Sequence, residues 1–246
     1  ALSEDVRVLI IKLAGRVHNM RTIDPFSKEK QRLKALETQN VLIPIAHRLG
    51  INQLKTELED MCIKVLKSND YESVEESLPA PREKLNEILE ETKETITDVL
   101  KQNNINFEIK GRVKSTSSIY NKLTKGKKMS EIYDFIGLRI ICEEESECYL
   151  IIGLIHSLYR PIPKRFKDYI SMPKGNSYQS LHTGVFGPEG FPVEVQVRTK
   201  EMNEIAEHGV ASHWSYKEHS KQIQNVMEQK LQMFRNIIEA NSSDVT

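Results

Sequence analysis

Apolar residues recur at helical spacing through the first hundred positions. Val6, Leu9, Ile10, Leu13, Val17 and Met20 mark one face of a first helix. Leu33, Leu36, Val41, Leu42 and Ile45 extend the pattern over about 28–48, and Gly50 supplies a stop. A third helix is predicted over 53–66. The run Leu78-Pro79-Ala80-Pro81 punctuates the chain, and proline is favourable at the start of the helix that follows. That helix, reaching about residue 102, is so rich in acids and lysines that it reads as a water-exposed connector. Beyond Asn104 the period changes. Strands are predicted over 106–113, 135–142, 178–186 and 193–199, with helices over 116–123, 145–159 and 200–216 between and after them. Strands alternating with helices imply a sheet with helices packed on it. A last amphipathic helix is predicted over 222–240.

Three units follow: an all-helical part over 1–75, a connecting helix over 76–103 and an α+β part over 104–240. The chain has 246 residues, 39% of them apolar and 28% charged, ordinary values for a soluble globular protein. The cysteines, Cys62, Cys142 and Cys148, form no C-x-x-C pair, so neither a disulfide framework nor a zinc site is indicated. Cys62 and Cys142 lie in apolar runs and read as small core residues. Reduced thiols, no export signal and no membrane-length apolar run lead to the expectation of a cytoplasmic protein with no membrane partner.

Formal net charge is zero, so attraction for anions has to come from local clusters. Residues 110–128 hold seven basic side chains and no acid; residues 159–176 hold five against the single acid Asp168. Either run alone reads best as a solvated surface. Both contain arginine, whose planar fork grips phosphate, and both include turn residues where ligands often bind. A triphosphate is one reasonable guest and a nucleic acid the other.

The segment PVEVQVRT alternates, with Val193, Val195 and Val197 on one face and Glu194, Gln196 and Arg198 on the other. By itself this is a half-exposed strand. Asp134 stands at the start of the other apolar strand, a position often taken by a turn residue. Should the two strands be neighbours, Asp134 and Glu194 could share one magnesium ion with substrate phosphates. Two acids beside dense cationic side chains suit phosphoryl-type transfer.

At this point the chain resembles a known family, the RelA/SpoT-type synthetases and hydrolases of guanosine 3′-pyrophosphates. The segments KLAGRVHNMRT, LIPIAHRLGI, GRVKSTSSIYNK, RFKDYISMPKGNSYQSLHT and VEVQVRTKEMNEIAEHGVASHWSYK carry the resemblance, from about Ser3 to Lys217. It implies a polymerase β-like nucleotidyltransferase fold and transfer of the β,γ-pyrophosphate of ATP to the 3′-hydroxyl of GDP or GTP. Arg112, Lys114, Ser118 and Lys122 would hold ATP. Asp134 and Glu194 would hold Mg2+, with Glu194 also helping to deprotonate the acceptor. Arg165, Lys167, Lys174, Asn176, Tyr178, His182, Gln196 and Arg198 would contact the guanine nucleotide, Tyr178 by stacking. The basic form of RFKD is associated with use of GDP. His213 and Trp214 are assigned to packing.

The chain also departs from the family's pattern. In that family the helical part is an HD-type hydrolase. This chain contains no HD doublet, and Gly15 stands where an aspartate is usual, so hydrolysis is expected to be absent and the helices to act as a buttress. Ribosome association is expected only through regulatory modules that lie outside this sequence. Two rival readings use the same residues without chemistry: a nucleic-acid-binding module and a guanine-nucleotide sensor.

Overall fold

The computed structural model describes residues 6–48, 51–174 and 178–208. The helical half begins with α1 (Val6–Arg21) and α2 (Lys28–Glu37). The Ser27 hydroxyl accepts the Lys30 N–H and caps α2. One π-helical turn (Thr38–Leu42) joins α2 to α3 (Ile43–Arg48), so the predicted span of 28–48 is helical throughout but changes winding midway. Next come α4 (Asn52–Leu66) and α5 (Ser68–Glu76), the second unforeseen in the sequence. Leu13, Val17, Ala35, Ala46, Leu54, Leu58 and Cys62 form the core of this half.

Helix α6 (Arg82–Gln102) leads into β1 (Phe107–Val113), α7 (Thr116–Thr124), β2 (Ile136–Cys142) and α8 (Glu145–Leu158). The two-residue β3 (Lys167–Asp168), β4 (Leu181–Phe186), β5 (Pro192–Thr199) and α9 (Lys200–His208) complete the described fold. The strands lie in the order β1-β2-β5-β4-β3. Only β2 and β5 run parallel; the other pairs are antiparallel, which makes a mixed sheet with flanking helices. Expected strand 178–186 starts three residues late, at Leu181. The predicted helix 200–216 is described only to His208, and the predicted helix 222–240, with His213 and Trp214, lies outside the described residues.

One sheet face is core. Leu138 and Ile140, Val193, Val195 and Val197, and Leu181 and Val185 are buried there beneath α6 and α8. Helix α6 is therefore not the exposed connector its composition suggested. Leu85, Ile88, Leu89, Ile96 and Leu100 form a buried stripe along it, and its charges take the outer face. Gly111 lets it approach: a Cβ there would stand 2.7 Å from Leu89 Cδ1 and 2.9 Å from Leu138 Cδ2. Gly111→Val is expected to lower stability by about 1–3 kcal/mol through overpacking, read as a lower urea midpoint with unchanged slope. A smaller third core, Val74, Ile119, Ile132 and Phe135, ties α5 to α7 and to the loop before β2.

Candidate functional site

Strand alternation places a second set of side chains on the face away from the core, and the register sorts them into two rows. The first row crosses Arg112 on β1, Gly137 on β2, Glu194 on β5 and Gly184 on β4. The second crosses Lys110, Arg139, Gln196, His182 and Lys167. The parallel pairing of β2 with β5 brings the two apolar strands side by side, as the shared-ion reading required. Glu194 has glycine on both flanking strands. A Cβ at Gly137 would meet nothing within 4 Å, so the carboxylate stands beside open space.

Asp134 lies two residues before β2. Its Oδ2 receives Lys114 Nζ at 2.8 Å and Lys122 Nζ at 2.7 Å, and its Oδ1 receives Lys122 Nζ at 2.9 Å. Burial alone would raise this carboxyl; the two lysine hydrogen bonds outweigh it and hold it at about 2. Burial pushes the Lys114 ammonium below its ordinary value despite Asp134, so the cluster as a whole stabilises less than the aspartate's shift suggests.

Glu194 is governed by His182, whose Nδ1 stands 3.6 Å from Oε1, just beyond a regular hydrogen bond. That neighbour is the largest influence holding the Glu194 carboxyl below its usual range, against burial and against the negative charge of Asp134. The two carboxylates are thus ionised and near enough to feel each other. On its other side, His182 Nε2 lies 2.8 Å from the Tyr178 hydroxyl. The tautomer with hydrogen on Nδ1 serves both contacts, with the phenol donating to Nε2.

Around this centre the second basic cluster assembles through aromatic rings. Lys174 Nζ lies 4.3 Å from the Tyr169 ring centre and 5.0 Å from that of Tyr178, and the Arg165 guanidinium lies 4.0 Å from that of Tyr133. The Arg165 stem also covers Gly184, where an added Cβ would approach its Cβ to 3.2 Å. Arg198 is 1% exposed, and its Nε has no hydrogen-bond partner among the described residues. Burial lowers this guanidinium from its ordinary value, and Arg139 adds to the effect. Ser118 is the third residue of α7, where the N-cap Ser115 accepts its N–H and donates to its Oγ at 2.8 Å.

Of the sequence-predicted site residues, Arg112, Lys167, His182, Glu194 and Gln196 share the polar sheet face by register, Lys114 and Lys122 close on Asp134, and Tyr178 joins through His182; the side-chain contacts of Ser118 are to Ser115, and Asn176 lies outside the described residues. Sequence reasoning missed the flanking Gly137 and Gly184. It also missed Arg139 and Glu207, which pair across the same face, with Glu207 Oε1 3.8 Å from Arg198 as well. Two hard, ionised carboxylates suit a divalent cation that completes its shell with substrate oxygens. No set of three or more His, Cys, Asp or Glu side chains among the described residues would form an all-protein cage. None of the described helices is long and apolar enough to cross a membrane.

A model of the region found in RelA/SpoT proteins matches residues 111–221, and an HD-domain model matches residues 1–52. The chain is 46% identical over 220 residues to a probable guanosine-3′,5′-bis(diphosphate) 3′-pyrophosphohydrolase of Synechocystis sp., covering 89% of this chain and 29% of that protein. It is 41% identical over 240 residues to the GTP pyrophosphokinase of Myxococcus xanthus, covering 97% of this chain and 32% of that protein. The crystal structure of small alarmone synthetase 2 from Bacillus subtilis overlaps 66% of this chain and 98% of its own, at 25% identity and a TM-score of 0.46. The chain thus spans about a third of the length of the curated relatives it matches. By sequence it is a relative of the RelA/SpoT proteins and carries their shared region, with an HD-domain segment ahead of it.

Proposed function

We propose that the polar sheet face transfers the β,γ-pyrophosphate of ATP to the 3′-hydroxyl of GDP or GTP. The observation that carries the reading is a pair of ionised carboxylates that influence each other, Asp134 held by Lys114 and Lys122 and Glu194 beside the open space over Gly137. The acceptor 3′-oxygen forms a bond to the β-phosphorus. The bond from that phosphorus to the α–β bridging oxygen breaks, and AMP leaves with the electron pair. Glu194 takes the hydroxyl proton; its depressed pKa keeps it ionised to do so. Lys114 and Lys122, with Ser118 and Arg112 along the same rim, hold the triphosphate and absorb charge that develops on the leaving group. Asp134 and Glu194 would hold a divalent cation, magnesium in this proposal, which when bound neutralises phosphate charge.

The acceptor takes the other side of Glu194, among Arg165, Lys167, Lys174, Gln196 and Arg198; Asn176, also assigned to it by the resemblance, lies outside the described residues. Hydrogen bonding of the Tyr178 hydroxyl to His182 fixes the phenol ring as a plate for guanine. Tyr178→Ala is expected to raise KM for GDP about ten- to hundredfold, the value of one base–aromatic stack, with KM for ATP little changed.

Labelled ATP incubated with magnesium and either GDP or GTP, followed by separation of products by charge, tests the assignment. AMP and a 3′-pyrophosphorylated guanine nucleotide, formed in equal amounts, are expected. Binding of both nucleotides without product would leave a sensor; steeply salt-dependent binding of RNA or DNA alone would leave a nucleic-acid module. The same proposal gives the helical segment no hydrolase activity, because the chain lacks an HD doublet and carries Gly15 in KLAGRVHNMRT. Release of pyrophosphate from the product by this chain would overturn that part.

A further inference from the structure

The passage from β1 into the first turn of α7, Lys114 to Ser118, is held from outside its own sheet. Arg82, first residue of α6, makes a two-pronged pair with Glu75 of α5, Nε to Oε2 at 2.8 Å and NH2 to Oε1 at 2.7 Å. The same guanidinium donates from NH1 to the Lys114 carbonyl at 3.0 Å and from NH2 to Thr116 Oγ1 at 2.7 Å. Thr116, wholly buried, donates its own hydroxyl to Glu75 Oε1. One carboxylate and one fork thereby grip a main-chain carbonyl and a side chain of the turn. From α4, Asp60 Oδ1 accepts the Ser117 N–H at 2.8 Å, satisfying an orphan donor at the start of α7 with a negative charge at the positive end of the helix. On the opposite side the Lys114 N–H donates to the Phe135 carbonyl at 2.7 Å, one residue past Asp134.

Lys114 is consequently pinned at three places: its N–H by the chain before β2, its carbonyl by Arg82 and its ammonium by Asp134. Losing the carbonyl tie removes one of the three restraints, so the Lys114 Cα, and with it the base of the side chain that carries the ammonium, is free to shift. Burial alone would raise the Glu75 carboxyl, and the Arg82 and Thr116 hydrogen bonds outweigh it. The clamp is therefore charged as well as well aligned.

We propose that helices α4 and α5 carry positioning residues for the ATP-binding turn: Glu75, acting through Arg82, and Asp60 hold the Lys114–Ser118 backbone in the conformation that presents Lys114 and Ser118 to the triphosphate. The helical half is on this view a working part of the nucleotide site rather than a passive buttress. The inference rests on the ATP side of the reading proposed above.

Three variants test it. Arg82→Lys keeps a positive charge by Glu75 and loses the fork; Thr116→Val removes one hydroxyl; Asp60→Ala removes the second tie and stands in should Arg82→Lys fold poorly. Arg21→Gln is the control, since it breaks a two-pronged pair with Glu57 inside the helical half without touching the turn. Equilibrium binding of a non-hydrolysable ATP analogue and of GDP is measured separately, beside KM for each substrate and the urea midpoint. Loss of a charge-assisted hydrogen bond is expected to weaken ATP binding about tenfold in Arg82→Lys and in Asp60→Ala, with GDP binding changed less than about twofold. Arg21→Gln is expected to leave both affinities at the parent value whatever its midpoint. Unchanged ATP affinity in Arg82→Lys and Asp60→Ala overturns the inference, as does a joint fall of ATP and GDP affinity that tracks the urea midpoint. Absence of turnover in the parent protein would sink the pyrophosphotransferase reading instead, and the ATP-binding arm still decides this one.

Discussion

Glu194→Gln lowers turnover of ATP with GDP by about three orders of magnitude and leaves the fold within about 1 kcal/mol of the parent. The two halves of this expectation have separate causes. Glutamine keeps the shape of the side chain but can neither take the acceptor proton nor offer a charged oxygen to a cation. The residues directly opposite Glu194 on the flanking strands are Gly137 and Gly184, so no directly opposed cross-strand partner packs against its carboxylate. The substitution loses the contact with His182 and relieves the repulsion from Asp134, and the two changes oppose each other. Turnover at saturating ATP and GDP, read beside a thermal melt, checks both. A rate within tenfold of the parent, in a folded variant, would remove Glu194 from the mechanism.

Asp134→Asn is expected to cost both activity and stability. The asparagine leaves two ammonium groups facing a neutral amide, and the Lys114 side chain is only 11% exposed. Sign and size follow from the carboxyl's folded-state value of about 2 against its ordinary 3.8. A depressed carboxyl adds stability that is complete above its ordinary value and is lost as pH falls toward the folded one. The shift corresponds to at most about 2.5 kcal/mol at pH 7, with about half of it gone by pH 3. Burial of the Lys114 ammonium reduces the total further. The gap in unfolding free energy between parent and Asp134→Asn should therefore narrow as pH falls from 7 to 3. A gap that stayed constant would show that the aspartate contributes shape rather than charge. Turnover should fall at least a hundredfold at pH 7, where the stability loss alone still leaves most molecules folded.

These two acids separate what is local in the chain from what is not. The alternation in 192–199 was enough to put Glu194, Gln196 and Arg198 on one face opposite three valines, because side chains on a strand alternate whatever the partner strand is. The basic clusters and the motifs at 111–122, 165–183 and 193–217 were equally legible. Composition misled at α6: its many acids and lysines hid the stripe from Leu85 to Leu100, which needs the sheet opposite to show its purpose. The short α5 and the two-residue β3 gave no periodic signal long enough to read.

What the sequence determined by itself was every element whose cause lies within a few residues: helical and strand periods, the proline start of α6, and the side-chain chemistry available on each strand face. Tertiary structure alone decided that β2 and β5 are parallel neighbours, that Gly137 and Gly184 flank Glu194, that Lys114 and Lys122 close on Asp134, and that Glu75 and Asp60 reach the first turn of α7. The pairing of Gly184 with Glu194 aside, those relations join residues 12 to 57 positions apart. Strand register and the burial of charged groups set them, and neither leaves a mark in local sequence.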